Sequence, residues 1–503
     1  MNKSVRQFVI ASRKSLAIAT IAFSVLGFTT ASVMADDKWV GTWASAQQGA
    51  TVTFGAVAPV FSDQTLRQIV QVSIGGSALR VRLSNVMGSQ PLTIDAASVA
   101  KREIGATIVE DSLRTLSFGG SATVTIPDGA FVLSDPVSLD VQAFGELAIS
   151  LYLANETTVN TQHSASLQTN YVSGSGDYTS ATELPVESTN QSWFLLSGVD
   201  VIASSDTKVI ATLGDSITDG TASTPDTNNR YPNLLAQRLA DAGSNAAVLN
   251  LGIAGNRVLH NVVGPNALAR FDRDVISRPG VTHVILLEGI NDIGLPGLLG
   301  LPEQEVTAEQ IIMGYQQLIQ RAKTAGIKII GATLIPYRTA IYYTTSGDGK
   351  RLVVNDWIRN SGAFDGYVDF DEVLRDPDDR LQMLPVYDSG DNLHPSDAGY
   401  QAMADAIDLS LFELSGGGDG GGSLSTSRYD ARQGEIFWDK GNDIQFNVYR
   451  DEILQTSSPI DGSSFYQNDL QSGREYLYDV VAVDISGNET GSIGTSLMPS
   501  DAD

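Results

Sequence analysis

The chain's 503 residues contain four histidines, so few imidazoles are available to act as a general base, and each can be weighed by its neighbours. His163 lies in the β-patterned part of the chain, His260 in the polar segment after the apolar run Ala247–Leu251, and His283 leads into the next apolar run. His394 is set differently, in Asp391-Asn-Leu-His-Pro-Ser-Asp-Ala-Gly399. Asp391, three residues earlier, can turn back onto that imidazole, fix its tautomer and stabilise the imidazolium formed in reaction. The nucleophile for such a base is Ser216, in Val209-Ile-Ala-Thr-Leu-Gly-Asp-Ser-Ile-Thr-Asp-Gly220. There an apolar run stops at Gly214, and the amphipathic stretch Tyr231 to Ala242 follows. Open α/β sheets place their chemistry where a parallel strand ends before a helix. Gly-Asp-Ser is by itself a common turn, and Asp-x-x-His by itself a capped one.

Acyl transfer also needs hydrogen-bond donors aimed at the developing oxyanion. Two further loops supply them, Asn250-Leu-Gly-Ile-Ala-Gly-Asn256 and Glu288-Gly-Ile-Asn-Asp292. Gly255 can present a backbone N–H and Asn291 a side-chain amide, with the N–H of Ser216 as third donor. Gly252 competes with Gly255 for that part. Asp215 and Asp292 read as braces for their loops, and Arg230, Arg257 and Arg270 as solvated surface.

These residues need a scaffold that brings successive strand ends to one edge. From Lys208 onward, Val209–Leu213, Ala247–Leu251, Val284–Leu287, Ile327–Leu334 and Tyr367–Phe370 alternate with helical segments, which implies a parallel sheet covered on both faces. The clearest helix spans Ala308 to Ala325, with Ile311, Ile312, Tyr315, Leu318, Ile319 and Ala322 at 3.6-residue spacing and Gly326 as its stop. A last helix covers about Ser396 to Glu413. Before Lys208 the pattern is β, with short alternating runs about every ten residues, suited to a sandwich or jelly roll. Gly75-Gly76-Ser77 reads as a hairpin turn between Ile69–Ile74 and Leu79–Leu83. After the helix, the glycine-rich run 415–425 is a flexible linker by composition, and 426–503 shows the strand rhythm of a fibronectin-type-III-like sandwich.

In sequence order, Gly214-Asp215-Ser216-Ile217, the Gly255 loop, Gly289-x-Asn291-Asp292 and Asp391-x-x-His394 stand at successive strand ends. The set resembles the SGNH (GDSL) hydrolase family over roughly Lys208 to Phe412. The resemblance implies Ser216 as nucleophile, His394 as base, Asp391 as its orienting acid, and an oxyanion hole of Ser216, Gly255 and Asn291. It also implies a flavodoxin-like parallel sheet in the order 2-1-3-4-5. With Trp39-Val-Gly-Thr-Trp43, Arg270-Phe-Asp-Arg-Asp274 and Tyr387-Asp-Ser-Gly-Asp391, the chain is similar to a secreted, acetylxylan-esterase-like subgroup that carries an N-terminal β domain. No Gly-x-Ser-x-Gly elbow of the ordinary α/β-hydrolases occurs.

The expected organisation is a signal peptide at 1–35, a β-rich domain at 36–205, a hydrolase domain at 206–414, the linker and a small β-sandwich. Lys3, Arg6, Arg13 and Lys14 precede the apolar run Leu16–Phe28 and the small-residue site Val33-Met34-Ala35, the pattern of a cleavable export signal. That run is too short for a membrane span, so no integral membrane association is expected. A net charge of −26 repels nucleic acid and anionic lipid. With no cysteine and no third ligand suitably spaced beside Asp391 and His394, neither a metal nor another cofactor is expected. The expected function is a secreted or periplasmic serine ester hydrolase, working through an acyl-enzyme on acetyl esters such as those of polysaccharides. The rivals are a lipase, lysophospholipase or arylesterase and, from another class, a carbohydrate-binding surface protein with a silent hydrolase domain.

Overall fold

Five parallel strands carry the middle of the chain: β1 (Lys208–Gly214), β2 (Ala246–Gly252), β3 (Val281–Leu287), β4 (Lys328–Ala332) and β5 (Gly366–Val368). They lie in the order 2-1-3-4-5. Gly214 is in register with both Gly252 and Leu287, so β1, β2 and β3 end at one level and their loops leave the sheet side by side. In this computed structural model the described residues are 37–50 and 57–413, with 424–430, 433–438, 445–451, 453–455, 464–467, 474, 476–483 and 489–497. The signal peptide expected at 1–35 and residues 415–423 of the expected linker lie outside them.

Six helices frame the site: α1 (Ser216–Asp219), α2 (Tyr231–Asp241), α3 (Ile290–Leu299), α4 (Ala308–Thr324), α5 (Thr345–Asn360) and α6 (Asp397–Ala406). α4 begins with a capping box, in which Thr307 accepts from the Gln310 N–H while the Gln310 side chain accepts from that of Thr307. Its apolar face buries Ile311, Tyr315, Leu318 and Ile319. The helix expected to run from about Ser396 to Glu413 is shorter. α6 ends at Ala406, and a 3₁₀ turn, Leu409–Phe412, follows.

Beside smaller sheets of two or three strands, the N-terminal region is built on two large antiparallel sheets. One holds Asp37–Ala44, Leu196–Ser204, Gly76–Ser84, Phe131–Leu133 and Val137–Val141; the other is built on Gln64–Gln71, Glu146–Leu153, Ala96–Ile104 and Asn170–Ser175. The hairpin expected at Gly75–Ser77 does not form. Gln64–Gln71 pairs with Glu146–Leu153, whereas Gly76–Ser84 pairs with Leu196–Ser204 in the other sheet. Alternation fixes which face of a strand is buried but not its partner. Here the glycines serve a crossing between sheets, where a Cβ on Gly75 would come 2.3 Å from the Val141 carbonyl oxygen.

One apolar core runs from this region into the parallel sheet, taking in Val40, Trp43, Leu79, Val199, Leu213, Leu249 and Ile285. The joint is also hydrogen-bonded. The Gly41 N–H donates to Pro279 O at 2.9 Å, and buried Arg278 donates to Ser197 O at 2.6 Å and Ser45 O at 3.1 Å. Toward the C-terminus, strands 424–430, 433–438 and 464–467 form one antiparallel sheet; 445–450, 453–454, 476–483 and 489–497 form another.

Candidate active site

β1 ends at Gly214 because nothing larger fits: a Cβ there would stand 2.1 Å from Thr218 Oγ1 and 2.3 Å from Leu287 O. Asp215 caps α1, its Oδ1 accepting from the Ile217 N–H at 3.0 Å. Ser216 is thus the first residue of a short helix that begins directly off the strand, with its side chain mostly buried. Facing it is the loop before α6. In that loop the Ser389 N–H donates to His394 O at 3.0 Å, and Asp388 Oδ1 accepts from the N–H groups of Gly390 and Asn392.

The loop brings His394 Nε2 to 2.8 Å from Ser216 Oγ, and His394 Nδ1 to 2.6 Å from Asp391 Oδ2. The other oxygen of Asp391 accepts from the N–H groups of Leu393 at 2.9 Å and His394 at 2.8 Å. Partial burial opposes ionisation of Asp391, but the bonds and charge of His394 and these N–H groups hold its carboxyl well below the usual range. Hydroxyl, imidazole and an acid that stays ionised therefore form one hydrogen-bonded chain. Such a chain can pass a proton from the hydroxyl to the ring.

Gly255 takes φ +79, and a Cβ on it would meet Val263 Cγ2 at 2.9 Å. Gly252 is differently employed. Its N–H donates to Asn250 Oδ1 at 2.9 Å, and a Cβ there would lie 2.2 Å from the Asp219 nitrogen, so β2 ends pressed against α1. The Asn291 amide is held at both ends: its Nδ2 donates to Asn256 O at 3.0 Å and its Oδ1 accepts from the Tyr342 hydroxyl at 3.2 Å. Asp292 accepts from the N–H groups of Val258 at 2.6 Å and Leu259 at 3.0 Å, which joins the loops after β2 and β3.

The three arginines read as solvated surface are buried instead. Arg270 Nε donates to Asn256 Oδ1 at 2.8 Å, Nη1 to Leu251 O at 2.7 Å, and Nη2 to Gly214 O at 2.9 Å and Glu288 Oε2 at 3.4 Å. It ties the ends of β1 and β2 to the acid just beyond β3. Around it, burial raises the Asp215 carboxyl to about 7 and that of Asp292 to about 6. Burial and the nearby Asp215 charge carry Glu288 well above its ordinary value. The partners that bury Arg270 lie up to 56 residues away in the chain, and local pattern does not encode such pairs, so its role could not be seen there. Tyr342 and the cross-sheet partners of His163 were missed for the same reason.

His283 is buried, hydrogen-bonded to Thr282 Oγ1 at 2.8 Å and edge-on to Phe412; burial lowers its pKa to about 4. Among the described residues, no group of three His, Cys, Asp or Glu side chains could hold a metal ion.

Residues 212–402 match the model of the GDSL-like lipase/acylhydrolase family. Among solved structures, a G-D-S-L family lipolytic protein from Desulfitobacterium hafniense is 24% identical over 40% of this chain and 96% of its own, with a TM-score of 0.30. The aryl esterase of M. smegmatis is 17% identical, over 41% and 99%, with a TM-score of 0.33. A carbohydrate acetylesterase from Sinorhizobium meliloti is 15% identical, over 40% and 96%, with a TM-score of 0.31. No curated protein matches the chain. The stretch that matches the GDSL-like lipase/acylhydrolase model holds Ser216, Gly255, Asn291, Asp391 and His394, and a β-rich region precedes it in the chain.

Proposed function

We propose that this protein is an exported serine ester hydrolase that works through an acyl-enzyme, with Ser216 as nucleophile, His394 as base and Asp391 as orienting acid. The observation that carries the reading is the hydrogen-bonded chain Ser216 Oγ, His394 Nε2, His394 Nδ1, Asp391 Oδ2. As Ser216 Oγ attacks the ester carbonyl, its proton passes to His394 Nε2. The oxyanion formed is held by the N–H groups of Ser216 and Gly255 and by Asn291 Nδ2. Gly255 is preferred to Gly252 because the Gly252 N–H is already engaged by Asn250. Collapse of the tetrahedral centre breaks the carbon–oxygen bond to the alcohol, which departs with the proton from His394. Water then gives a proton to the same nitrogen, attacks the acyl carbon, and Ser216 leaves with that proton as the acid is released.

The substrate proposed is a short acyl ester, acetyl above all, on a polysaccharide. The support is the resemblance to the acetylxylan-esterase-like subgroup together with the export signal read at 1–35. Wild type and Ser216→Ala should be assayed on acetylated xylan, acetylated pectin, phospholipid and p-nitrophenyl esters of increasing chain length. Hydrolysis should peak at acetyl and vanish in the variant. A peak at long chains would favour a lipase, and equal rates for the two proteins would end the enzyme reading.

A further inference from the structure

His163 belongs to the N-terminal β region, in the short strand Thr161–His163, yet it is buried against the hydrolase domain. Its Nδ1 lies 2.9 Å from Ala46 O and its Nε2 lies 2.9 Å from Asp219 Oδ1. A carbonyl oxygen only accepts, so Nδ1 carries a hydrogen, and an ionised carboxylate also only accepts, so Nε2 carries the second. The ring is then an imidazolium facing a carboxylate. Burial works against that charge, but the charge and hydrogen bond of Asp219 outweigh it and raise the His163 pKa. The other charged group facing the ring is Arg230, which opposes the positive form; Trp193 covers one face, its centroid 5.5 Å away.

Asp219 is the last residue of α1, the helix that Ser216 begins. Its second oxygen, Oδ2, accepts from the Ala254 N–H at 3.1 Å, and Gly255 is the next residue. One carboxylate therefore joins the nucleophile's helix, the loop of the candidate oxyanion donor and a cation from the other region. Oxyanion donors are effective only when held to within a fraction of an ångström.

We propose that His163 is a positioning residue of the active site: by clamping Asp219 it sets the Gly255 N–H against Ser216, so that the N-terminal β region is a working part of the hydrolase. This rests on the hydrolase reading above. A donor misplaced by loss of the clamp weakens the transition state more than the bound ester, so kcat should fall while KM holds. Because the clamp needs the imidazolium, it loosens as pH rises through the raised His163 pKa, which gives an alkaline limb.

The test uses the full chain carrying His163→Gln or Asp219→Asn. On p-nitrophenyl acetate, kcat should drop on the order of ten- to a hundredfold, with KM nearly unchanged and the alkaline limb gone. Nitrogen-15 spectra of histidine-labelled wild type, at about pH 8 where free imidazole is neutral, should show one ring with both nitrogens protonated. A folded His163→Gln protein with wild-type kcat and pH profile would overturn the proposal, and so would four neutral rings at that pH. If the variants do not fold, the wild-type spectrum decides. If wild type hydrolyses no ester, the hydrolase reading fails by itself, while the doubly protonated ring still reports whether the clamp exists.

Discussion

Asn291 shows how a single side chain acquires a fixed direction. An asparagine amide can rotate and can flip end for end, but here Asn256 O takes one hydrogen of Nδ2 and the Tyr342 hydroxyl marks Oδ1. The second Nδ2 hydrogen is the one the proposed oxyanion hole would use. Replacing Asn291 by Ala should cost on the order of a hundred- to a thousandfold in kcat, as removal of an oxyanion donor does. Tyr342→Phe should cost only a few-fold, because the Asn256 carbonyl still orients the amide. Steady-state kinetics on one acetyl ester, with KM followed for each variant, checks both. A Tyr342→Phe loss as large as that of Asn291→Ala would mean that the tyrosine itself touches the reacting group.

At the scale of elements, the joint between strand ends is carried by Arg270 as much as by the sheet. It reaches Gly214 O, Leu251 O, Asn256 Oδ1 and Glu288, while Asp274 lies 3.3 Å away. Removing one partner from a buried ionic cluster costs about 3–5 kcal/mol, so Arg270→Leu should lose about that much in chemical denaturation and should also lower kcat. A loss below about 1 kcal/mol with unchanged kcat would show that the acids simply take up protons and the loops hold without it. The same scale separates what the sequence made legible from what it hid. α4 was readable because six buried side chains recur on one face and a capping box marks its start. α5 was not, since its first turn, Thr-Ser-Gly-Asp-Gly, carries two glycines, each weakening the helical signal. Ser216, Asp391 and His394 could be picked out because each stands in a short local motif. Arg270, Tyr342 and His163 act through partners distant in the chain, and local pattern does not encode such pairs.

Across the whole molecule, charge and burial set opposing limits on the pH at which the fold is most stable. Asp274 is buried, yet the charge of Arg273 beside it holds its carboxyl down at about 2. Its unfolded value is higher, so the stability it contributes is present at neutral pH and is lost as pH falls through that range. Asp215 and Asp292 act in the other sense, with folded values near 7 and 6 against 3.8 unfolded. Between those limits the folded chain binds more protons than the unfolded one. Their contribution is therefore complete in acid and declines as pH rises to about 7. His163 has the same sign, because its raised pKa makes its charged form a feature of the folded state that rising pH removes. A net charge of −26 adds self-repulsion as the remaining protons leave. Thermal unfolding followed by circular dichroism from about pH 4 to 9 should give a Tm that is highest at the acid end, about pH 4 to 5, and declines toward 9. Asp292→Asn, which removes one buried titration, should flatten the decline between about pH 4 and 6. A Tm that rose from 6 to 9 would mean that these acids are ionised within the fold and that Arg270 and Arg257 already neutralise them.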